Sequence, residues 1–237
     1  MTVCSWGDIL SDKNPKHPSY TLVTGNHTGI TINYLEFDIS SMQYFLKGQP
    51  VALPNTGLVR NYTFSHCNGD MMVAGTTSGE MCIFSINSSI YRASMPVCAN
   101  GLLCAAIDGN SLYCGGGDGK IKKLSMESGQ WMLTHEAQLD SRVMSINLSN
   151  DKKELVVGTI GGKIYRCIGA DLSFLLHSDA HTGVIKDIAF GESNDKFISL
   201  DENGALKLWN LDDYNCVYTG YPSKACQGVS LCIAKDD

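Results

Sequence analysis

Residues 181–211, HTGVIKDIAFGESNDKFISLDENGALKLWNL, contain the segment that decides the fold. Three short apolar runs, within 184–190, 197–200 and 206–209, alternate with turns rich in Gly, Asn and Asp. Short apolar runs separated by such turn residues are typical of an antiparallel β-meander. The stretch therefore predicts adjacent strands of one sheet.

Polar and aromatic residues recur at fixed places around these strands, namely His181, Ser199, Asn203, Gly204 and Trp209. Their spacing resembles a WD40 repeat, the four-stranded blade of a β-propeller. The resemblance implies a hydrogen-bonded cluster of the His, the Ser, the Trp and an acidic turn residue, which ties the loops to the sheet. Asn203 stands at the expected acidic position, so we expect a cluster without charge, weaker than usual and structural rather than catalytic.

A Gly-x-x-x-Gly pattern marks the predicted turn between the second and third strands of each repeat. The pairs are Gly25 and Gly29, Gly75 and Gly79, Gly115 and Gly119, and Gly158 and Gly162, while the fifth copy keeps Gly204 alone. The second glycines lie 40 to 50 residues apart, which is close to the propeller repeat. Glycine suits a tight turn that requires positive φ. We therefore predict an all-β WD40 β-propeller with about five and a half four-stranded blades.

The repeats also set the predicted blade limits. Blade 1, which is divergent, spans 1–57, and the next four blades span 58–98, 99–139, 140–180 and 181–222, with the first strand of a further blade in 223–237. An open array of blades would leave apolar faces and sheet edges in water. We therefore expect the chain to be part of a larger propeller of about seven blades, or of a double propeller. A complete five-bladed ring is the alternative.

Composition narrows the class of protein. The chain has 237 residues, of which 43% are hydrophobic and 18% charged, with a net charge of −6. The acidic balance argues against nucleic-acid binding, and no apolar run is long enough for a membrane-spanning helix. Ten cysteines without an N-terminal export signal predict reduced, mostly buried thiols in an intracellular protein.

Several segments carry residues that can perform chemistry, and each has a simpler interpretation. The Gly-rich segment 115–119 lacks the Lys-Ser/Thr of a phosphate-binding loop, which favours a turn. The pair His177 and His181 suggests a metal site, and His66-Cys67 suggests a thiol nucleophile, but neither has a recognisable partner. Trp131 and Tyr165-Arg166 suit either a partner-binding surface or blade packing. We therefore predict no catalytic residue, no cofactor, no metal and no enzymatic activity.

Three segments are similar to a ciliary WD-repeat family. Val73–Glu80 (VAGTTSGE), Leu155–Arg166 (LVVGTIGGKIYR) and the blade opening in 177–190 resemble, in order and separation, the family of cilia- and flagella-associated protein 52 and its centriolar relatives. The resemblance implies an axonemal, cytoskeletal protein of the cilium or flagellum. It would be a microtubule inner protein that binds tubulin and other lumenal proteins in the B-tubule and stabilises the doublet. The match is poor before about residue 60.

Two other classes of function stay open at this point. A soluble WD40 adaptor that assembles a cytoplasmic protein complex needs a recruiting motif, and the sequence shows none. A propeller enzyme needs a titratable cluster at the central channel, and the spacings assign none. The sequence therefore favours a structural scaffold without nucleic-acid or membrane partners.

Overall fold

The computed structural model describes residues 3–10, 16–54, 59–192, 195–222 and 227–233. Within these ranges the regular structure consists of twenty β-strands and no helix. The strands form five four-stranded sheets, and in each sheet sequential strands are antiparallel neighbours. The predicted all-β fold of four-stranded units is therefore confirmed.

The strand bounds follow the repeats. Sheet 1 contains β1 (Val3–Leu10), β2 (Ser19–Asn26), β3 (Gly29–Asp38) and β4 (Gln43–Pro50). Sheet 2 contains β5 (Tyr62–Asn68), β6 (Met71–Thr76), β7 (Glu80–Ser85) and β8 (Ile90–Pro96). Sheet 3 contains β9 (Leu102–Asp108), β10 (Ser111–Gly116), β11 (Lys120–Glu127) and β12 (Gln130–Gln138). Sheet 4 contains β13 (Val143–Leu148), β14 (Glu154–Thr159), β15 (Lys163–Ile168) and β16 (Phe174–Asp179). Sheet 5 contains β17 (Ile185–Phe190), β18 (Lys196–Asp201), β19 (Leu206–Asn210) and β20 (Cys216–Gly220).

The chain divides into two compact units, Met1–Leu102 and Leu103–Asp237, each with its own core. In the first unit Val23 and Ile32 of sheet 1 pack with Met72 and Phe84 of sheet 2. This core is sheet stacked on sheet.

In the described part of the second unit, a core cluster lies on each side of sheet 4. Leu155 and Val157 belong to a cluster with Val143 and with Ile121 of sheet 3, whereas Val156 belongs to a cluster with sheet 5. Successive side chains of a strand point to opposite faces. Strand β14 therefore packs apolar residues on both faces.

The second strand and the fourth strand of a sheet differ strongly in burial. Five of six residues of β6, β10 and β14 are buried, whereas all eight residues of β4 are exposed. A strand buried on both faces needs apolar residues at consecutive positions, whereas β4 is an exposed edge strand.

The second glycine of each pair lies at the turn and has positive φ, from 72° at Gly119 to 147° at Gly29. The first glycine differs from the expectation, because Gly25, Gly75 and Gly158 have no positive φ and lie inside the second strand of each sheet. The same holds for Gly115. These four residues are not turn residues. We call this second strand strand b and the third strand strand c.

The first glycines make room for the neighbouring sheet. A Cβ at Gly115 would lie 2.5 Å from Cγ1 of Val143, and a Cβ at Gly158 would lie 2.5 Å from Cγ2 of Ile185. Val143 and Ile185 belong to the first strand of the next sheet. In the Gly-x-x-x-Gly pattern the first glycine therefore allows close approach of the next sheet, and the second glycine allows the turn.

The last described segment, 227–233, forms no strand, and the rest of the predicted sixth-blade segment, 223–226 and 234–237, lies outside the described residues. The segment nevertheless packs on sheet 5. The backbone N–H of Gly228 donates to the carbonyl of Glu202 over 3.3 Å, and the N–H of Leu231 donates to Asp187 Oδ2 over 2.8 Å.

Candidate functional site

The best-defined polar cluster is buried in sheet 5 and its preceding loop. Nε2 of His181 lies 2.6 Å from Oγ of Ser199, and Nδ1 of His181 lies 3.2 Å from Oδ2 of Asp201. The indole N–H of Trp209 donates to Oγ of Ser199 over 2.8 Å. Antiparallel pairing places Ser199 and Trp209 on adjacent strands β18 and β19. The structure thus brings together His181, Ser199 and Trp209 of the predicted set.

The fourth member of the cluster is Asp201, not Asn203. Asn203 is exposed, and its backbone N–H donates to Oδ1 of Asp201 over 2.9 Å. The N–H of Ala205 donates to the same oxygen over 2.9 Å. The cluster therefore contains a carboxylate, contrary to the expectation of an uncharged and weaker cluster, and this charge strengthens its hydrogen bonds.

A comparison among repeats would have located Asp201. It follows strand-b residue Leu200 as Thr76 follows Gly75 and as Thr159 follows Gly158. Both threonines bridge the same turn, since Thr76 Oγ1 bonds the backbone of Glu80 and Thr159 Oγ1 that of Lys163. The position therefore ties the b–c turn to the sheet in three repeats.

When His181 is neutral, the hydrogen bonds of the cluster form one chain, in which each group donates to the next. Trp209 donates to Ser199, the hydroxyl of Ser199 donates to Nε2 of His181, and Nδ1–H of His181 donates to Asp201. Burial lowers the pKa of His181 below its usual 6.5, although the charge of Asp201 opposes this shift. A protonated imidazole would donate from both nitrogens and leave the hydroxyl hydrogen of Ser199 without an acceptor. The cluster therefore favours neutral His181.

The same residues form a Ser–His–Asp sequence of contacts, the arrangement that activates a serine nucleophile. Here Ser199 has no solvent exposure, and the His181 side chain has none either. The indole N–H of Trp209 also occupies a lone pair of the serine oxygen. A substrate cannot reach Ser199 in this fold, so the geometry supports a structural role for the cluster.

The other candidate sites do not assemble. The 115–119 segment comprises the end of β10 and the turn that follows it, in which the N–H of Gly119 donates to the carbonyl of Gly116, and Asp118 Oδ2 lies 2.6 Å from Nζ of Lys122. A carboxylate at this turn disfavours binding of a phosphate group.

The described residues contain no group of three or more potential metal ligands, and the side chain of His177 lies outside the described residues. The described residues include no helix that is long and apolar enough to cross a membrane.

Five of the described cysteines are buried, namely Cys82, Cys98, Cys104, Cys114 and Cys167, and Cys226 lies outside the described residues. Burial raises the pKa of Cys82 to about 11 and that of Cys167 to about 12. Thiols with such pKa values are poor nucleophiles near neutral pH. Cys67 Sγ lies 3.4 Å from Oγ of Ser5, a contact between sheets 1 and 2.

The predicted surface of Trp131 and Tyr165-Arg166 is largely used for packing. Trp131 is buried, and Tyr165 packs against the core of sheets 3 and 4. Arg166 forms a two-pronged ion pair with Glu154, with both N–O distances at 2.7 Å. These residues therefore stabilise their unit and do not form an open binding surface.

Open apolar surface lies elsewhere, on the outer strands. Tyr44, Met132, Phe174 and Tyr218 are each exposed by 42% or more and lie on β4, β12, β16 and β20 respectively. Beside Tyr218, a cavity of about 140 Å³ is lined by Leu206, Gly220, Tyr221 and Pro222. Exposed aromatic residues are enriched where proteins bind proteins. The outer edges of the sheets are thus the candidate interaction surface that the sequence analysis did not identify.

Comparison with solved structures defines the class of fold. A chain in the crystal structure of the mitotic checkpoint complex matches with a TM-score of 0.69 at 13% identity, over 89% of this chain and 63% of that chain. The computationally designed Ika8 protein matches with a TM-score of 0.67 at 16% identity, over 98% of this chain and 66% of that chain. The chain therefore spans slightly less than two thirds of these proteins.

The four-stranded antiparallel sheets, together with these structural neighbours, make the fold a β-propeller. No protein-family model and no curated protein sequence matches the chain. The fold alone is shared with the solved neighbours, because their sequence identity is low.

Proposed function

We propose that this propeller is a non-catalytic scaffold that binds other proteins through the outer strands of its sheets. The observation that carries this proposal is the distribution of side chains. The Ser–His–Asp arrangement of Ser199, His181 and Asp201 is buried, whereas Tyr44 and Tyr218 are exposed on outer strands. Burial of aromatic anchors in a partner supplies binding free energy.

A finer assignment follows from the sequence resemblance to the ciliary WD-repeat family. We place the protein in the doublet microtubule of the axoneme, as a microtubule inner protein that contacts tubulin and other lumenal proteins. The resembling segments lie on regular elements, since Val73–Glu80 covers most of β6 and the turn after it, and Leu155–Arg166 covers most of β14 and part of β15. This part of the proposal rests on those segments alone.

Stepwise extraction of isolated axonemes tests the location. Detergent, high salt and then sarkosyl are applied in turn, and this protein is followed by immunoblot beside tubulin. We expect retention through high salt and release only when the doublets break down. Release by detergent alone would contradict the ciliary assignment and favour a WD40 adaptor of another complex.

A variant pair separates the scaffold proposal from the location. Tyr218→Ser removes an exposed aromatic from β20, and Ser94→Ala changes a partly exposed residue of β8 as the matched control. We expect Tyr218→Ser to lower the recovery of cross-linked partners at unchanged folding, with Ser94→Ala recovering the same partners as the parent chain. Equal recovery for both variants would argue against the outer strand of sheet 5 as a binding surface.

A further inference from the structure

Three turns of the described chain contain the dipeptide Asn-Gly, namely Asn68-Gly69, Asn100-Gly101 and Asn203-Gly204. Each of these glycines has positive φ, which explains the choice of glycine after a turn asparagine. Asn-Gly is also the dipeptide in which asparagine reacts most readily with its own backbone, because glycine has no side chain to hinder the following nitrogen. Since the dipeptide is the same at all three turns, their surroundings decide which one reacts.

The reaction is an attack of the glycine backbone nitrogen on the side-chain carbon Cγ of the asparagine. A bond forms between that nitrogen and Cγ, the bond from Cγ to Nδ2 breaks, and the amide hydrogen leaves with the side-chain nitrogen as ammonia. Water then opens the five-membered imide at one of its two ring C–N bonds. Opening at Cγ gives aspartate, whereas opening at the backbone carbonyl gives isoaspartate, whose main chain is longer by one carbon. A hydrogen bond that engages the glycine N–H must break first and therefore slows the attack.

The turn of sheet 5 protects Asn203. The backbone N–H of Gly204 donates to the carbonyl of Asp201 over 3.1 Å, so the attacking nitrogen is engaged. The N–H of Asn203 donates to Oδ1 of Asp201 over 2.9 Å, which ties the same turn to the buried polar cluster. Attack at Asn203 therefore requires this turn to open.

The hairpin between β5 and β6 restrains Asn68 more weakly. Asn68 is half-buried and pairs with Met71 across a two-residue turn. Asp70 in that turn accepts hydrogen bonds from the hydroxyl of Ser85 over 2.8 Å and from the backbone N–H of Asn87 over 2.7 Å. The turn is thus held in place, although no backbone hydrogen bond engages the glycine N–H within the described residues.

The connection between β8 and β9 leaves Asn100 open to attack. Asn100 is exposed and has a φ of 62°, outside any strand. Within the described residues, neither its side chain nor the N–H of Gly101 makes a hydrogen bond. We propose that Asn100 is a self-modification site, at which the nitrogen of Gly101 converts it to aspartate or isoaspartate faster than the corresponding reaction proceeds at the other two turns.

Isoaspartate at this site would disturb packing on the turn between β6 and β7. The N–H groups of Val97 and Cys98 both donate to the carbonyl of Gly79, over 2.9 and 3.1 Å. Gly101 is buried, and a Cβ on Gly79 would lie 3.6 Å from its nitrogen. The connection therefore has little room for an additional backbone carbon. We expect the modified chain to have a lower melting temperature than the fresh chain.

Timed incubation of the full chain at mildly alkaline pH, followed by peptide mapping with mass spectrometry, tests the proposal. Each conversion raises the mass of its peptide by one unit, and isoaspartate separates from aspartate by its retention. The chain unfolded in guanidinium chloride is the internal control, because the three dipeptides should then react at similar rates. In the folded chain we expect Asn100 to react fastest, and Asn203 to be slowed at least about tenfold relative to the unfolded chain.

Two variants connect the modification to its effect on packing. Asn100→Gly removes the reactive side chain and accepts positive φ, whereas Asn203→Ser removes the other exposed asparagine. We expect the melting temperature to fall with incubation time in the parent chain and in Asn203→Ser, but not in Asn100→Gly. A folded chain in which Asn203 or Asn68 reacts as fast as Asn100 would overturn the proposal. A fall of equal size in Asn100→Gly would overturn the effect on packing, and neither result bears on the scaffold function.

Discussion

At the scale of single residues, the polar cluster of sheet 5 works because each of its groups has one role. Ser199 Oγ joins an indole donor to an imidazole acceptor, and Asp201 joins that imidazole to two backbone N–H groups of the turn. The four side chains of the cluster are buried, where an unpaired donor or acceptor is costly. The cluster therefore fixes the loop before β17 and the turn after β18 to the core.

Ser199→Ala tests the hydroxyl group that links His181 to Trp209 at the centre of the cluster. The change leaves both the Trp209 indole N–H and Nε2 of His181 buried without a partner, and we expect a loss of about 2–4 kcal/mol in the free energy of unfolding. Urea denaturation followed by circular dichroism measures it. Ser94→Ala, at a partly exposed strand position, should change the stability by less than about 0.5 kcal/mol. Equal effects would show that Ser199 only fills space.

The protonation of His181 gives the second prediction at this scale. Burial lowers its pKa in the folded chain below the unfolded value of 6.5, so the unfolded chain takes up the proton first. The contribution of neutral His181 is complete above pH 6.5 and is lost as the pH falls from there toward the folded pKa.

Urea midpoints measured between pH 7.5 and pH 5 should therefore decrease toward acid. His181→Gln removes the titrating group, and we expect it to flatten this part of the profile while lowering stability at neutral pH. A variant profile parallel to the parent profile would assign the acid sensitivity to other residues.

At the scale of elements, the second strand of a sheet needs glycine where the neighbouring sheet approaches too closely for a larger side chain. Gly75 faces Phe64 and the carbonyl of Leu102, the first residue of β9, while Gly115 and Gly158 face β-branched residues of the next sheet. A small residue on one strand accommodates a large residue on the next, which is how interiors reach high packing density. Sheets 3, 4 and 5 thus stack through matched pairs of small and large residues.

Gly158→Ala probes this matching. The new methyl would lie 2.5 Å from both Cγ2 of Ile185 and Oγ of Ser145, so the sheets must separate, and we expect a loss of about 1–3 kcal/mol. The matched control is Gly191→Ala, because a Cβ there meets only the carbonyl of Lys196 at 3.9 Å and Gly191 has no positive φ. Thermal denaturation of both variants gives the comparison. A small loss of stability in Gly158→Ala would mean that the stacked sheets move apart at little cost in free energy.

At the scale of the whole molecule, segment 227–233 packs on sheet 5 with the large and small residues exchanged, so that the large residue lies on the strand and the glycine lies opposite it. Leu200 takes the strand-b place that glycine holds in the other repeats, and the residue opposite is Gly228, whose added Cβ would collide with Leu200 and with the carbonyl of Asp201. Ser230 and Leu231 both donate to Oδ2 of Asp187. The segment therefore shields Leu200, which is only 6% exposed.

Gly228→Val should detach this segment. The branched side chain has no room against Asp201 and Leu200, so we expect exposure of Leu200, faster cleavage by chymotrypsin after Leu231 and a loss of about 1–2 kcal/mol. Val229→Ala is the control, since Val229 is 80% exposed. Unchanged cleavage in Gly228→Val would show that the segment is held by its hydrogen bonds and not by the fit of Gly228.

The sequence predicted the all-β propeller fold because its repeats are encoded locally. Alternating apolar runs, turn residues and a period near that of a propeller blade are properties of neighbouring residues, and they require no knowledge of what packs against them. The grouping of His181, Ser199 and Trp209 could be inferred from the same repeat. The blade limits and the ciliary assignment stay predictions.

Only the tertiary structure decided the features that depend on distant residues. Asp201 rather than Asn203 completes the cluster because the turn directs the carboxylate inward, and Trp131 and Arg166 are occupied by their own unit. The role of Gly115 and Gly158 depends on Val143 and Ile185, which come nearly thirty residues later in the sequence. Local spacing determines which strands form, but the packing of one sheet on the next determines which side chains are sealed and which remain open to a partner.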